Sequence, residues 1–242
     1  MRGPTESELS ATADRRRLIP IIDDHELFAT TLAIALRGED FDAWTVPVAD
    51  LPAFLARSGT GGLVLLDLDL RRDAPAHDVD GVDLVEPLQA RGWRVLVVTG
   101  VSDERAIAAA IAAGAVGYVP KACSFDVLLK IIITAAEGST VMTESERRQW
   151  LERHHRDQVR DREFSRLMSR LTPREREVLE LLSAGLRATA VAEHFVVTVA
   201  TVRTQIRSIL TKLEVGSQLE AVALLRGRHP EPPPHTPRTM RT

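Results

Sequence analysis

The sequence predicts an α/β domain, built on a five-stranded, doubly wound parallel sheet, that is followed by a small all-α domain of four helices. Short apolar runs alternate with helical patterns across the first half of the 242 residues. Apolar runs of this length are typical of strands buried on both faces of a parallel sheet. The charge also changes along the chain, because residues 18–138 carry a net −9 and residues 139–242 carry +5. The basic second half favours a polyanionic partner.

Five strand–helix repeats are predicted in order. They are strand 18–22 with helix 25–37, strand 42–46 with helix 50–57, strand 63–67 with helix 82–91, strand 94–98 with helix 103–113, and strand 116–119 with helix 124–137. Such repeats form a parallel sheet with helices on both faces. Pro20 lies inside the first strand, which is interior in this fold, and cannot donate a ladder hydrogen bond. The sequence therefore allows a bulge or a shifted strand at Pro20, and either would move the residues that follow.

The remaining segments have compositions of their own. Residues 139–170 are highly charged and predicted to form a helical linker, since a helix that is polar nearly all round does not build a core. Residues 1–17 and the proline-rich residues 228–242 are predicted to be disordered. Cys123 is the one cysteine, so the chain has no internal disulfide, and it has no apolar stretch long enough to span a membrane. We expect a cytoplasmic protein without membrane contact.

Polar residues follow four of the five predicted strands, at the point where each strand ends. Asp23 and Asp24 follow the first strand, Asp67 ends the third, and Thr99 and Lys121 follow the last two. The carboxyl ends of parallel strands meet at one edge of the sheet, where open α/β folds place their sites. Three carboxylates at one edge repel each other and call for a cation. Hard oxygen ligands with room for water suit Mg²⁺.

The second predicted domain, residues 171–227, contains four short helices. Thr172 and Glu175 have the spacing of a capping box, with Pro173 at the first helical position. The third helix has an apolar stripe at helical spacing, formed by Val202, Ile206, Ile209, Leu210 and Leu213. Arg203, Thr204 and Arg207 are left on its opposite face. A small helical core whose third helix carries basic residues on its free face is typical of a helix-turn-helix module that enters the major groove of DNA.

Residues 18–138 resemble the receiver domain of two-component response regulators, which has a flavodoxin-like fold. The motifs IIDDHELF, LVLLDLDL, VVTG and GYVPK carry the resemblance. It implies that Asp67 accepts phosphate from a histidine kinase, with Thr99 and Lys121 acting on the phosphoryl group and Thr99 and Tyr118 acting as the switch. The resemblance also implies the ligands of Mg²⁺, which are Asp23, Asp24, Asp67 and the backbone carbonyl of Asp69.

The stretches LTPREREVLELLSAGL and TVATVRTQIRSILTKLEVGSQLEAV closely resemble the LuxR-type DNA-binding domain. The two halves together resemble response regulators of the NarL/FixJ type. The resemblance makes Arg203, Thr204 and Arg207 candidate readers of base edges, and Thr201 and Lys212 candidate contacts to DNA phosphates. It implies promoter DNA as a partner and a homodimer in the active state.

Some positions depart from the receiver and LuxR patterns. The loop after Asp67 is long, its matching glycine is Gly81, and the insertion adds Asp73, Asp78 and Asp80. Ala188-Thr189-Ala190 replaces a polar stretch of the second pattern. Pro20 and the long loop support an alternative function. In that alternative the protein regulates transcription without phosphorylation, through an atypical receiver controlled by protein or ligand binding. An enzyme acting on a small phosphoester would need a second general acid or base and a closed pocket, which the sequence does not offer. We expect a non-enzymatic transcription regulator.

Overall fold

The computed structural model describes residues 17–57, 61–70, 80–100 and 103–226. The chain divides into two compact units at Asp157 and Gln158. Of the termini predicted to be disordered, only Arg17 falls within the described residues. Most of the loop after Asp67, including Asp73 and Asp78, also lies outside them. None of the helices in the described part is long and apolar enough to cross a membrane.

The first unit contains the predicted five-stranded parallel sheet. The strands are β1 (Leu18–Ile22), β2 (Asp42–Thr45), β3 (Leu63–Leu66), β4 (Arg94–Thr99) and β5 (Gly117–Pro120), and the helices are α1 (Glu26–Gly38), α2 (Leu51–Arg57), α3 (Val82–Ala90), α4 (Glu104–Ala112), α5 (Phe125–Ala136) and α6 (Glu144–Ser169), the last of which continues past the unit boundary. The strand order is β2-β1-β3-β4-β5, with every pair parallel. This order is that of a doubly wound sheet, which confirms the predicted fold class.

The apolar strands supply two cores, one on each face of the sheet. Val64, Leu66 and Val97 point to the face covered by α2, α3 and α4, while Leu65 and Leu96 point to the face covered by α1 and α5. Successive side chains of a strand face opposite sides, so a strand buried on both sides must be apolar throughout. This is why the strands appear in the sequence as unbroken apolar runs.

Pro20 is accommodated without a break in β1. The register with β2 runs unbroken from Leu18 to Ile21. Ile22 accepts a hydrogen bond from the amide of Asp67, so Pro20, two residues earlier, also directs its backbone towards β3. The recorded pairing with β3 begins only at Ile21. The proline therefore costs β1 the bond that its missing N–H would donate towards β3, while the register with β2 and the position of the residues that follow β1 are kept.

The second unit contains four helices after the end of α6, as predicted. They are α7 (Pro173–Ser183), α8 (Ala188–Phe195), α9 (Val199–Leu213) and α10 (Gln218–Arg226). Val178, Leu179, Val191, Val202 and Ile209 form the centre of its core, and each is at most 1% exposed. Burial of these side chains, at roughly 1.5–3 kcal/mol each, holds the short helices together. Thr172 caps α7 through the predicted capping box with Glu175.

Val196 occupies a left-handed backbone conformation in the turn between α8 and α9. Its φ is 53° and its ψ is 47°, and the residue is 91% exposed. A β-branched residue is strained in this region and gains no packing here. We expect Val196→Asn to raise the free energy of unfolding of the second unit by about 1 kcal/mol, measured by urea unfolding. The matched control is Val197→Asn at a neighbouring position without a left-handed φ; an equal gain there would contradict a backbone cause.

Candidate metal centre and nucleic-acid interface

The predicted site residues converge at the carboxyl edge of the sheet. Asp23 and Asp24 follow β1, Asp67 follows β3, Thr99 ends β4 and Lys121 follows β5. The strand order reverses between β1 and β3, and doubly wound sheets place their sites at this point. Asp23 and Asp24 are each 8% exposed, and Asp67 and Thr99 are each 2% exposed. Burial of three carboxylates requires compensating charge.

Lys121 supplies part of that charge. Its Nζ atom lies 2.5 Å from Oδ2 of Asp67 and 2.7 Å from Oδ2 of Asp23. The ammonium also lies 4.9 Å from the centroid of the Phe28 ring on the first turn of α1. Burial raises the pKa of Asp23 above its usual value, and the hydrogen bond from Lys121 only partly offsets this effect. One ammonium therefore does not balance three buried carboxylates.

His25 is a member of the cluster that sequence reasoning did not select. Its Nδ1 atom lies 2.8 Å from Oδ1 of Asp24 and 3.3 Å from Oδ1 of Asp23, and its backbone amide donates to Asp23. The signal was its position directly after the acidic pair in IIDDHELF. Candidate ligand atoms of Asp23, Asp24, His25 and Asp67 lie within 4.8 Å of one another. The cluster is therefore a candidate site for one metal ion.

The donor set fits a hard divalent cation. Three carboxylates against one ammonium leave two formal negative charges in a buried site, which one divalent ion would neutralise. The backbone amide of Asp69 donates to Oδ1 of Asp67 at 3.3 Å, which fixes the turn after β3. The role implied for the Asp69 carbonyl stays a prediction.

Gly81 is held against the backbone of the predicted acceptor. A Cβ atom at this position would lie 2.3 Å from the carbonyl oxygen of Asp67 and 2.7 Å from Cα of Leu68. Backbone atoms cannot yield as a flexible side chain does. We expect Gly81→Ala to lower the free energy of unfolding of the first unit by about 1–3 kcal/mol. Tryptophan fluorescence in urea measures this unit, because Trp44, Trp93 and Trp150 all lie within it.

The control for this substitution is Gly38→Ala. A Cβ atom at Gly38, the last residue of α1, would meet nothing within 4 Å. We expect its midpoint to equal that of the wild type or exceed it slightly. Equal losses in the two variants would contradict the proposed backbone overlap at Gly81.

Tyr118, the predicted switch aromatic, lies in β5 and is half-buried. It pairs in register with Val97, while Thr99 pairs with Pro120. Its ring meets the ring of Trp150 edge-to-face, with 5.3 Å between the centroids and 81° between the planes. Thr99 and Tyr118 therefore lie on adjacent strands of the sheet, as a coupled pair requires.

The candidate base readers lie on one exposed face of α9. Arg203, Thr204 and Arg207 are exposed, whereas Val202 and Ile209 of the same helix are buried in the core. The Thr204 hydroxyl donates to the carbonyl of Ala200 at 3.1 Å. This bond occupies the hydroxyl proton and leaves the methyl group and the oxygen lone pairs for an outside contact.

The two candidate phosphate contacts are both engaged within the unit. Thr201 is exposed near the start of α9, where its hydroxyl and its amide contact Oγ1 of Thr198, the N-cap residue. Lys212 places Nζ 2.8 Å from Oε1 and 2.6 Å from Oε2 of Glu175. Lys212 therefore ties α9 to α7, and its predicted contact with a DNA phosphate would have to share the ammonium with Glu175.

Glu175 is the centre of a polar network that sequence reasoning identified only as part of a cap. Its carboxylate accepts bonds from Lys212, from the Ser208 hydroxyl at 2.6 Å and from the Thr172 amide at 2.8 Å, and the residue is 7% exposed. Burial raises the pKa of Glu175, but the bonds from Lys212, Ser208 and Thr172 outweigh it and lower the pKa from 4.5 to about 2. The ionised carboxylate therefore stabilises the folded unit.

Comparisons with known proteins agree with both halves of this description. Residues 19–133 match the response regulator receiver domain, and residues 169–225 match the luxR family of bacterial regulatory proteins. The nitrate/nitrite response regulator protein homolog of Haemophilus influenzae is 30% identical over 217 residues, covering 84% of this chain and 93% of that protein. Transcriptional regulatory protein LnrK of Bacillus subtilis is 29% identical over 209 residues, with coverages of 84% and 93%.

Among solved structures, that of the response regulator StyR is 27% identical and covers 87% of this chain and 98% of that chain, with a TM-score of 0.42. The match to the Haemophilus protein extends over nearly its full length and spans both domains. The chain therefore belongs to the family of DNA-binding two-component response regulators, which join a receiver domain to a LuxR-type helix-turn-helix domain.

Proposed function

We propose that Asp67 accepts a phosphoryl group from a histidine kinase and that its phosphorylation controls dimerisation and promoter binding. The main support is the position of Asp67, which is buried after β3. The Lys121 ammonium lies 2.5 Å from its carboxylate and also binds Asp23. A carboxylate held in this way is a suitable nucleophile for phosphoryl transfer.

The transfer uses the side chains at the edge of the sheet. An oxygen of Asp67 attacks the phosphorus, the bond between phosphorus and the kinase imidazole breaks, and an acyl phosphate forms on Asp67. Lys121 stabilises the negative charge on the phosphoryl oxygens. Mg²⁺, held by Asp23, Asp24, Asp67 and the Asp69 carbonyl, would neutralise charge on the incoming group. Thr99 contributes a hydroxyl to the new phosphoryl group, and Tyr118 changes position with it.

The second domain then binds promoter DNA through α9. Arg203 and Arg207 pair with guanine edges, Thr204 contacts a neighbouring base, and Thr201 and Lys212 contact phosphates. A homodimer binds two half-sites, each read by one copy of α9. In this assignment the receiver extends over 18–138, the linker over 139–170 and the DNA-binding domain over 171–227. The protein acts in the cytoplasm, where both a kinase and DNA are accessible.

Loss of one arginine from α9 tests the proposed base contacts. We expect Arg203→Ala or Arg207→Ala to weaken binding to a selected operator by about 1–3 kcal/mol and to relax the preference for one base pair. The measurement is a fluorescence-anisotropy titration against the operator and its single-base variants at fixed salt. The control, Arg166→Ala, removes the same charge from an exposed site on α6. An equal loss of base preference in the control would contradict the assignment.

Acetyl phosphate, a small phosphodonor, tests the whole proposal. Wild-type protein is incubated with it in the presence of Mg²⁺ or EDTA, analysed by intact mass, and titrated with operator DNA. We expect a Mg²⁺-dependent acyl phosphate, tighter DNA binding and a dimer on the operator by sedimentation. A chain that binds DNA with the same affinity and takes up no phosphate would instead be the phosphorylation-independent regulator that the long loop left open.

A further inference from the structure

The first half of α6 is docked on the face of the receiver that presents the switch aromatic. The edge-to-face contact between Trp150 and Tyr118 joins a linker residue to β5. Trp150 is half-buried against the core on the α4 face of the sheet, and the same core contains Met142, which precedes α6 and is 9% exposed. The linker helix therefore begins as part of the receiver, although its sequence is polar nearly all round.

Polar contacts fix the docked helix at three further points. Both terminal nitrogens of Arg147 donate to the carbonyl of Ala115, at 3.0 and 3.2 Å. Arg153 is ion-paired with Glu104, and Asp157 lies 4.0 Å from Arg105. Glu104 and Arg105 begin α4, and Ala115 lies just before β5. Exposed ion pairs contribute little individually, so the aromatic contact and the Arg147 bonds supply most of the specificity.

These contacts surround Tyr118, the predicted switch aromatic. The proposed function, on which this inference rests, requires Thr99 and Tyr118 to change position together. An inward turn of the Tyr118 ring would break its contact with Trp150. An edge-to-face pair of this kind contributes enough free energy to change an equilibrium constant severalfold.

We propose that Trp150 couples docking of the linker helix to phosphorylation at Asp67. The unphosphorylated receiver holds residues 144–157 through Tyr118, and phosphorylation withdraws the tyrosine and weakens the docking. Since linkage is reciprocal, the docked helix must oppose the phosphorylated state by the same factor. We expect that factor to be about 3- to 10-fold. Trp150 is then a positioning residue for the switch, which it affects through Tyr118 without touching the phosphoryl group.

Hydrogen exchange on the full chain tests this coupling, with acetyl phosphate and Mg²⁺ as the phosphorylating reagents and intact mass as the measure of phosphate on each sample. In the wild type, phosphorylation should speed exchange of residues 144–157 by about 3- to 10-fold. Trp150→Ala should exchange at the faster rate without phosphate and respond little to it. Trp150→Phe keeps a ring against Tyr118 and should restore most of the response.

The matched control is Leu151→Ala, the next residue of the helix, which is 42% exposed; it should respond like the wild type. A second measurement, the affinity for the phosphate mimic beryllofluoride by fluorine NMR, should be about 3- to 10-fold higher in Trp150→Ala. A phosphorylated wild type with unchanged exchange over 144–157 would overturn the coupling and leave the proposed function intact. A wild type that carries no phosphate would overturn both.

Discussion

Replacing Asp67 by asparagine should reduce incorporation of phosphate from acetyl phosphate to background. The amide oxygen of asparagine is a poor nucleophile and cannot form the acyl phosphate, while the shape of the side chain is kept. The variant should also bind operator DNA with one affinity, that of the unphosphorylated wild type, whether or not the phosphodonor is present. Intact mass and a DNA titration measure these two results.

The folded state should survive this substitution, which makes the result interpretable. Removing one of three buried carboxylates reduces their mutual repulsion, and Lys121 keeps its partner Asp23 at 2.7 Å. We expect a midpoint in urea at least equal to that of the wild type. The matched control is Asp69→Asn, which removes a carboxylate two residues away and should still be labelled. Label on Asp67→Asn together with its loss from Asp69→Asn would mean that the acceptor is misassigned.

Glu175→Ala should remove a large part of the stability of the second unit. The substitution leaves the Lys212 ammonium without its carboxylate, abolishes the capping box of α7 and removes the acceptor of the Ser208 hydroxyl. The combined cost should be about 3–5 kcal/mol, because breaking a partly buried ion pair and losing a cap both contribute. The free energy of unfolding of small domains is only about 0.05–0.15 kcal/mol per residue. The substitution should therefore remove much of the free energy of unfolding of the second unit.

The two units can be measured separately. The second unit contains no tryptophan, so loss of helical circular dichroism without a change in tryptophan fluorescence reports on it alone. The control is Glu177→Ala on the same helix, whose carboxylate is exposed and paired with Arg174. Its cost should be below about 1 kcal/mol. A loss for Glu175→Ala no greater than that of the control would contradict the network.

The same network predicts a pH dependence. The pKa of Glu175 is lowered in the folded state, from 4.5 to about 2. The stabilisation is therefore fully present above pH 4.5 and is lost as the pH falls towards 2. We expect the difference in unfolding free energy between the wild type and Glu175→Gln to shrink by about 3 kcal/mol across this window. Urea unfolding at several pH values, followed by circular dichroism, measures it; a constant difference would contradict the lowered pKa.

Much of the fold could be predicted because its rules are local. Strands buried on both faces must be apolar throughout, so β3 and β4 appear in the sequence as continuous runs bounded by polar residues. The carboxyl ends of parallel strands share an edge, so the sequence alone predicts that Asp23, Asp67 and Lys121 lie close together. The capping box at Thr172 and the apolar stripe on α9 are short-range patterns, and they are sufficient to predict the helix-turn-helix domain.

The features that were missed depend on contacts that sequence spacing does not reveal. Lys212 and Glu175 are 37 residues apart, so no local sequence pattern predicts their ion pair. The sequence suggests only a DNA contact for Lys212. His25 belongs to the acidic cluster because its backbone turns just after β1, which a sequence pattern does not determine. A bulge at Pro20 does not form, since the register of β1 with β2 is unbroken and the pairing with β3 begins directly after the proline.

The two edges of the sheet limit how copies of the chain can associate. The edge strands, β2 and β5, have four residues each. β5 ends at Pro120, which has no amide hydrogen, and β2 begins with the exposed carboxylate of Asp42 and is followed within two residues by Pro47. Short edges with prolines and charges resist the addition of a further strand. Receivers that come together would therefore do so through side chains of their helices, and the fold is protected against growth of the sheet from one molecule to the next.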